Sequence, residues 1–512
     1  MKVVTVSQMQ NLERTAMEDF AVPSLLLMEN AASGVLAAIK AELGTISGKK
    51  IHIVCGKGNN GGDGLAIARM AHNAGATVSV TPLFSEDEIR GDAKTNYTMA
   101  KKLGIPFVSI EHCQNCDIVV EAIFGTGFRG ELTKNAKAAA DTINQSGSFV
   151  VSVDIPAGVC ADTGEAAEGA VFADLCVTFS ALKPGHLLFP GKRHYKKLIK
   201  TEISIPKSVI NNDCQGYDSI DQAAFSLIPK RTPDSHKGSY GKALAYVGAC
   251  GMTGAAVLSS TAILKSGAGM ATAAVPEDIL PICASHFTTV MTCPLPVEGD
   301  KPAERAAHVL LEKMPSQDVL LAGCGIGTTQ GAKEVIFRLL THWEKPMVLD
   351  ADGINALSEN PHLLTEKKCP LILTPHVAEF ARLLGCSIEE VKKNPVPLAQ
   401  DFSTKYGVVL VLKDATTIVS DENGHISLCP AANSGMATAG SGDVLSGIIT
   451  GLLAQGAIPK DAAVCGVYLH ASAGKLAKDA LGEYGMTAED ILSFLPHAFQ
   501  SPTIISPDIK EL

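Results

Sequence analysis

No stretch of this chain approaches the ~20 uninterrupted apolar residues of a membrane span, so membrane insertion is not expected. The opening segment MKVVTVSQMQNLERTAMEDF lacks the basic-then-apolar layout of a secretory signal. Positive charge is not in excess: the net charge is -10, which disfavours a phosphate-neutralising surface for nucleic acid. There is no GxxxxGK[ST] loop and no GxSxG elbow, which argues against a P-loop NTPase and a serine hydrolase of that type. One CxxC occurs, at Cys113–Cys116, with no second to complete a zinc site. Aromatics supply only 5% of residues.

What is present is ordinary for a globular chain. Hydrophobic residues are 46% and charged residues 19% of 512, which excludes a disordered polymer. The 14 cysteines are scattered through apparent strands and helices, as buried thiols are, and a cytoplasmic location is expected. The 47 glycines predict many tight turns and close backbone approaches.

Apolar runs alternate with helical spacing. Lys50–Cys55, Ala76–Leu83, Asp117–Phe124, Ser148–Asp154 and Ala173–Phe179 read as buried parallel strands, with Leu65–Ala74 a helix between the first two. A polar, turn-rich stretch over Ser208–Asp221 marks a linker. Beyond it, strands are expected at Ala243–Gly248, Val319–Ala322, Pro346–Asp350, Pro370–Thr374 and Val408–Lys413. A hairpin follows, turning at Asn423–Gly424. The fold class is therefore α/β with two domains, residues 1–215 and 222–508, each built on a mostly parallel sheet.

The first strand runs into Gly56-Lys57-Gly58-Asn59-Asn60-Gly61-Gly62-Asp63-Gly64. Gly56, Gly58 and Gly61, with Glu86 downstream, match a dinucleotide fingerprint, a weak signal alone. The amides and carboxylate of this loop suit a hard cation or a ribose-phosphate; a ligand-free turn is the plain alternative. Two more glycine loops leave strand ends, Gly125-Thr126-Gly127-Phe128-Arg129-Gly130-Glu131 and Asp154-Ile155-Pro156-Ala157-Gly158. Ligands of open parallel sheets collect at such ends, so the three loops are expected to share one pocket.

GNNGGDG, AIFGTGFRG, DIPAG and LLLMENAA resemble the epimerase domain of NAD(P)H-hydrate repair enzymes over most of residues 1–210. The resemblance implies a Rossmann-like three-layer domain that interconverts the R and S hydrates of NADH and NADPH. It implies that Asn59, Asn60, Gly61, Gly62 and Asp63 bind the damaged nucleotide together with Gly125 to Glu131, and that Asp154 is catalytic. Lys183 in SALKPG is a weaker helper, with a solvated strand-end lysine as its plain reading. A potassium ion is implied at Asn60, Glu121 and the loop at Ala157. The chain departs from the family here, with Glu121 for Asp and Ala157 for Ser.

In the second half, Asn433-Ser434-Gly435-Met436-Ala437-Thr438-Ala439-Gly440-Ser441-Gly442-Asp443 precedes an apolar helix expected over Val444–Leu453. Small residues at a helix start expose backbone N–H groups to an anion, and Asp443 at their edge can accept a hydroxyl proton. With SHKGSYG, GCGIG around Gly325, and TPHVAEF, this segment resembles the ribokinase-like superfamily, within it the ADP-dependent NAD(P)H-hydrate dehydratases. That resemblance implies ADP, or ATP, held by Lys413, Asp414, Ala415, Thr416, Thr417 and Asn433 to Gly442. It implies magnesium on the phosphates, Asp443 as the base, and Ala255, Gly325, His376, Glu379 and Arg382 facing the hydrate. A homo-oligomer is implied by analogy.

Together these readings predict a two-domain metabolite-repair enzyme. The rival is a vitamin-precursor or sugar-alcohol kinase with an appended nucleotide-binding regulator. A further rival makes the first half a binding module without catalysis.

Overall fold

Residues 1–213, 217–299, 301–506 and 508–512 are described by the structure, a computed structural model. The expected first-domain limit at residue 215 lies outside them. The chain forms two compact units, Met1–Tyr217 with Ser506–Leu512, and Asp218–Ile505.

The first unit is built on β1 (Lys50–Cys55), β2 (Thr77–Pro82), β3 (Ile118–Ala122), β4 (Phe149–Val153), β5 (Ala173–Phe179) and β6 (Tyr195–Thr201). These strands and Ile509–Glu511 form a seven-stranded sheet, in which Ile509–Glu511 lies beyond β6 and the order continues β5-β4-β3-β1-β2. Every pairing is parallel. Helices on both faces bury the strands, hence their unbroken apolar runs. Two features escaped the sequence reading. β6 has lysine at three of its seven positions, and Ile509–Glu511 is too short to signal itself.

Helix Val6–Asp19 is opened by a capping box of Thr5 and Gln8. Helix Ser24–Leu43 is long and apolar enough to cross a membrane by length and composition alone, although Glu29, Lys40 and Glu42 interrupt its apolar run. Its Leu27, Ala31, Ala32, Val35 and Ile39 instead pack into this unit's core.

The second unit uses β7 (Tyr217–Ser219), β8 (Lys242–Tyr246), β9 (Met270–Pro276), β10 (Met291–Leu295), β11 (Val319–Ala322), β12 (Met347–Leu349), β13 (Leu371–Leu373), β14 (Val409–Leu412), β15 (Thr417–Ser420) and β16 (Ile426–Cys429). Its ten-stranded sheet is ordered β10-β9-β8-β11-β12-β13-β14-β15-β16-β7. Strands β10 to β14 run parallel. The expected hairpin supplies the antiparallel β15 and β16, with Gly424 at φ 80° in the turn. β10 carries Pro294, which an edge strand tolerates because its missing N–H is not needed by a neighbour.

Helix Ser441–Ala454 lies close on helix Thr253–Lys265. A Cβ on Gly447 would stand 2.3 Å from the Ser259 carbonyl oxygen, and one on Gly451 2.6 Å from that of Ile263. Both sheets reverse their winding, between β1 and β3 in the first and between β8 and β11 in the second. A crevice opens at such a switch point, outside the carboxyl ends of the strands.

Candidate active sites

In the first unit the loops after β1 and β3 touch at the switch point. A Cβ on Gly56 would lie 2.0 Å from the Ile123 carbonyl oxygen, and one on Gly61 1.7 Å from that of Gly56. Glycine is therefore obligatory at both. The segment read as a loop is in fact the start of helix Asn59–Asn73, six residues earlier than expected. Glycine's helix cost is offset there by a packing distance no other residue allows.

Asp154 follows β4 and adopts φ 67°, a left-handed conformation rare outside glycine. Lys183 Nζ donates to Asp154 Oδ1 at 2.7 Å and Thr178 Oγ1 donates to it at 3.0 Å. Lys183 is 1% exposed. It is a buried ion-pair partner, and the solvated reading fails. His186 completes the clamp. Its Nδ1 accepts from the Lys183 N–H at 3.0 Å, which leaves Nε2–H to donate to the Asp154 carbonyl at 2.8 Å. Burial pushes His186 down to about 4, so the ring is neutral.

The remaining Asp154 oxygen, Oδ2, faces Gly125. A Cβ there would stand 3.3 Å from both Asp154 Oδ2 and Asn60 Oδ1. Thus Asn60 from a helix start, and Gly125 and Asp154 from two strand-end loops, converge. Burial works against the Asp154 charge, but Lys183 outweighs it and holds the carboxyl below its usual range. Asp63, one helical turn from Asn60, is pushed the other way by burial, by Asp154 and by Glu13. Glu13 is also raised, first by burial. Glu13 and His186 were not legible as site residues; neither sits in a motif.

Other expected residues do different work. Phe128 is buried and packs on Phe124 at 5.4 Å. Arg129 braces its own loop through the Thr126 and Phe128 carbonyls and pairs with Asp162 at 2.7 Å. Gly130 and Glu131 are exposed.

The potassium set does not fit. Glu121 is fully buried, and its Oε1 accepts from Ser152 Oγ at 2.7 Å and from the Ala157 N–H at 2.9 Å. Its Oε2 accepts from the Ile123 N–H at 3.3 Å. Burial raises this carboxyl to about 7. Ala157 has no side-chain oxygen, and its N–H is spent on Glu121. Donors converge where a cation needs acceptors, so the extra methylene of Glu121 turns the acid into the loop. Of the three expected ligands Asn60 alone keeps an unpaired polar atom, Nδ2, which is buried without a partner.

In the second unit helix Ser441–Ala454 starts three residues before the expected Val444, with Gly440 as its cap at φ 87°. Asp443 thus lies in the first turn, beside free N–H groups. Burial first, and then the neighbouring Asp350, raise it to about 6. Lys413 Nζ lies 3.1 Å from where a Cβ on Gly442 would stand, which brings two expected nucleotide residues together. A Cβ on Gly325, at φ 63°, would meet the Ala255 methyl at 2.8 Å, so these two also converge.

His376 and Glu379 form a capping box on helix Val377–Leu384. The Ala378 and Glu379 N–H groups donate to His376 Nδ1, and the His376 N–H donates to Glu379 Oε2 at 2.8 Å. Their polar atoms serve the helix start, although His376 keeps an exposed ring edge. Arg382 donates to Asn355. Around the anion hole, Asn433 ties the loop to Gly474 at 2.9 Å, Ser434 donates to Glu483 at 2.7 Å, and Ser441 Oγ lies 3.3 Å from His470 Nε2. Asp414 and Ala415 are exposed while Thr416 is buried.

Comparison with known proteins follows this division. A family model described as YjeF-related protein N-terminus matches residues 24–185, and one described as NAD(P)H-hydrate dehydratase matches residues 244–497. The bifunctional NAD(P)H-hydrate repair enzyme Nnr of Moorella thermoacetica is 39% identical, over 98% of this chain and 97% of that protein. The protein of the same name from Thermofilum pendens is 35% identical, over 98% and 97%. A solved structure, the ADP/ATP-dependent NAD(P)H-hydrate dehydratase from Bacillus subtilis co-crystallized with ATP/Mg2+, is 26% identical. It covers 55% of this chain and 97% of its own, with a TM-score of 0.48.

Proposed function

We infer the chemistry of each unit from the premise that this chain belongs to the bifunctional NAD(P)H-hydrate repair enzymes. It interconverts the R and S hydrates of NADH and NADPH and dehydrates the S hydrate to the intact dinucleotide. The vitamin-precursor or sugar-alcohol kinase reading is not favoured.

The observation that carries the first activity is the pair of carboxyls driven apart at the switch point of the first sheet. Asp154 is held ionised by Lys183, and Asp63 is pushed toward its protonated form. Groups split in this way take the roles of base and acid. Asp63 protonates the departing hydroxyl of the hydrate, which leaves as water. The ring nitrogen's lone pair makes the iminium, and the stereocentre is lost. Water then adds to either face while Asp154 takes its proton, which passes back to Asp63 and resets the pair. Asn60, with its unpaired amide, orients the nicotinamide carboxamide. No step runs through potassium.

In the second unit ADP is the phosphoryl donor. Asp443 removes the proton of the hydrate hydroxyl as the oxygen attacks the β-phosphorus and AMP leaves. The N–H groups at the start of helix Ser441–Ala454 hold the transferring phosphoryl oxygens. The ring nitrogen then expels phosphate, and loss of a proton from the adjacent carbon restores the dihydronicotinamide. Magnesium, brought with the nucleotide, would neutralise phosphate charge during the transfer. Among the described residues, one group of three metal-capable side chains occurs, Cys324, Asp350 and Asp443. Lys413 already supplies it with a cation, so no protein cage for magnesium is assigned. A cytoplasmic location is proposed, where cysteines stay reduced. A homo-oligomer is proposed by analogy, with light scattering as its test.

The test uses a mixed R/S NADH hydrate, the purified chain, magnesium and either ADP or ATP. Recovery of dihydronicotinamide absorbance from both epimers is expected, faster with ADP. Recovery of the S form alone removes the epimerase assignment, and no recovery with either nucleotide removes the dehydratase assignment.

A further inference from the structure

Behind Asp443 lies a second buried carboxylate that no step above uses. Asp350 follows β12 and is 1% exposed. Its Oδ1 accepts from Lys413 Nζ at 2.8 Å, and its Oδ2 accepts from Ser446 Oγ at 2.5 Å. Cys324 Sγ sits 3.9 Å from the same Oδ2. Ser446 is one turn beyond Asp443 on the same helix, so the helix that carries the base also grips Asp350. Carboxylate oxygens of Asp350 and Asp443 and the Cys324 sulfur lie within 4.8 Å of one another.

Resting on the reading of Asp443 as base, we propose that Asp350 is a positioning residue, fixed by Lys413 and Ser446, whose negative charge keeps Asp443 basic enough to take the hydroxyl proton. A carboxylate facing a like charge binds its proton more tightly. A carboxylate in the field of helix N–H groups and a lysine would otherwise be a weak base. Asp350 opposes both influences, and at the same time draws the Lys413 ammonium to itself.

Each group that faces the base contributes. Asp350 and Asp352 raise Asp443; Lys413 and the Cys324 thiol lower it. Burial works against the Lys413 charge, and Asp350 and Glu379 sustain it. His470, behind Ser441, is pushed by burial to about 4 and stays neutral. Of the two carboxylates that raise Asp443, Asp350 is the one locked by side chains just after β14 and on the base's own helix.

The readout is the acid limb of kcat/KM for S-hydrate dehydration, measured with the full chain and one nucleotide. Activity requires ionised Asp443 and falls as pH drops through its pKa. Ionisation of the substrates is common to all variants and cancels in the comparison. In Asp350→Asn the limb is expected to move down by about one pH unit, toward an ordinary carboxylate. In Lys413→Met it is expected to move up by about as much. Asp350→Glu, which keeps the charge, should leave the limb within a few tenths of a unit. Opposite displacements do not arise from general damage to the site. Rates that fall at every pH with the limb fixed would overturn the proposal. If Asp350→Asn fails to fold, a fixed limb in Lys413→Met overturns it equally. Full dehydration by Asp443→Asn would instead remove the base assignment itself.

Discussion

Asp154 opens a strand-end loop and Asp443 closes a glycine-rich one, and those settings made them legible. Glycine is retained where backbone must come close to something, and an acid placed there meets what comes close. Replacing Asp154 by Asn should slow R-to-S conversion by about 100-fold or more while dehydration of pure S hydrate is unchanged. Epimer-resolved chromatography of the hydrate mixture reads both. Residues such as Glu13, Thr178 and His186 were not legible, because each reaches the site through the fold and none carries a local pattern. The metal set shows the converse. Glu121, Asn60 and Ala157 sit where the resemblance put them, yet one added methylene and one missing hydroxyl turn the carboxyl onto Ser152 and two N–H groups. Replacing potassium by choline should therefore leave both the epimerisation rate and the melting temperature of the chain unchanged. A tenfold loss of rate would restore the cation to the site.

At the scale of elements, the central strands of both sheets that were expected lie within a residue or two of where they were placed, since burial on both faces demands unbroken apolar runs. Helix starts were less legible. Glycines that argue against helix by propensity occupy the first turns of Asn59–Asn73 and Ser441–Ala454, because there tertiary contact decides. Gly61 and Gly58 separate the two influences. Gly61→Ala would drive a methyl onto the Gly56 carbonyl, and a cost of about 1–3 kcal/mol is expected. Gly58 has open space around it and an ordinary φ of -88°, so Gly58→Ala should be nearly neutral. Thermal melts of the two variants compare them directly. Strands β9 and β10 were missed for a different reason. MATAAVP has little branched bulk, and MTCPL carries the proline that only an edge allows.

At the scale of the whole molecule, two parallel-sheet units were legible from the alternation of strand and helix on either side of a polar break. The route of the chain was not. The first unit is closed by Ile509–Glu511, which pairs with β6 through Leu198, Ile199 and Lys200. Stopping the chain after Ile505 should expose that edge, lower the melting transition of the first unit and impair epimerisation. Dehydration of S hydrate should be retained. Activity assays with each epimer, alongside calorimetry, would resolve the two effects.

That closing strand also sets an order of events on the ribosome. Between β6 and its partner the chain must be extended through Asp218–Ile505. At a synthesis rate of ~5–20 residues per second, this takes roughly 15 to 60 seconds. During that interval the S-consuming unit is translated in full while the sheet of the epimerising unit still waits for its outer strand. A nascent chain therefore acquires the means to remove the S hydrate before it finishes the means to generate it, and a prematurely terminated product errs on the same side.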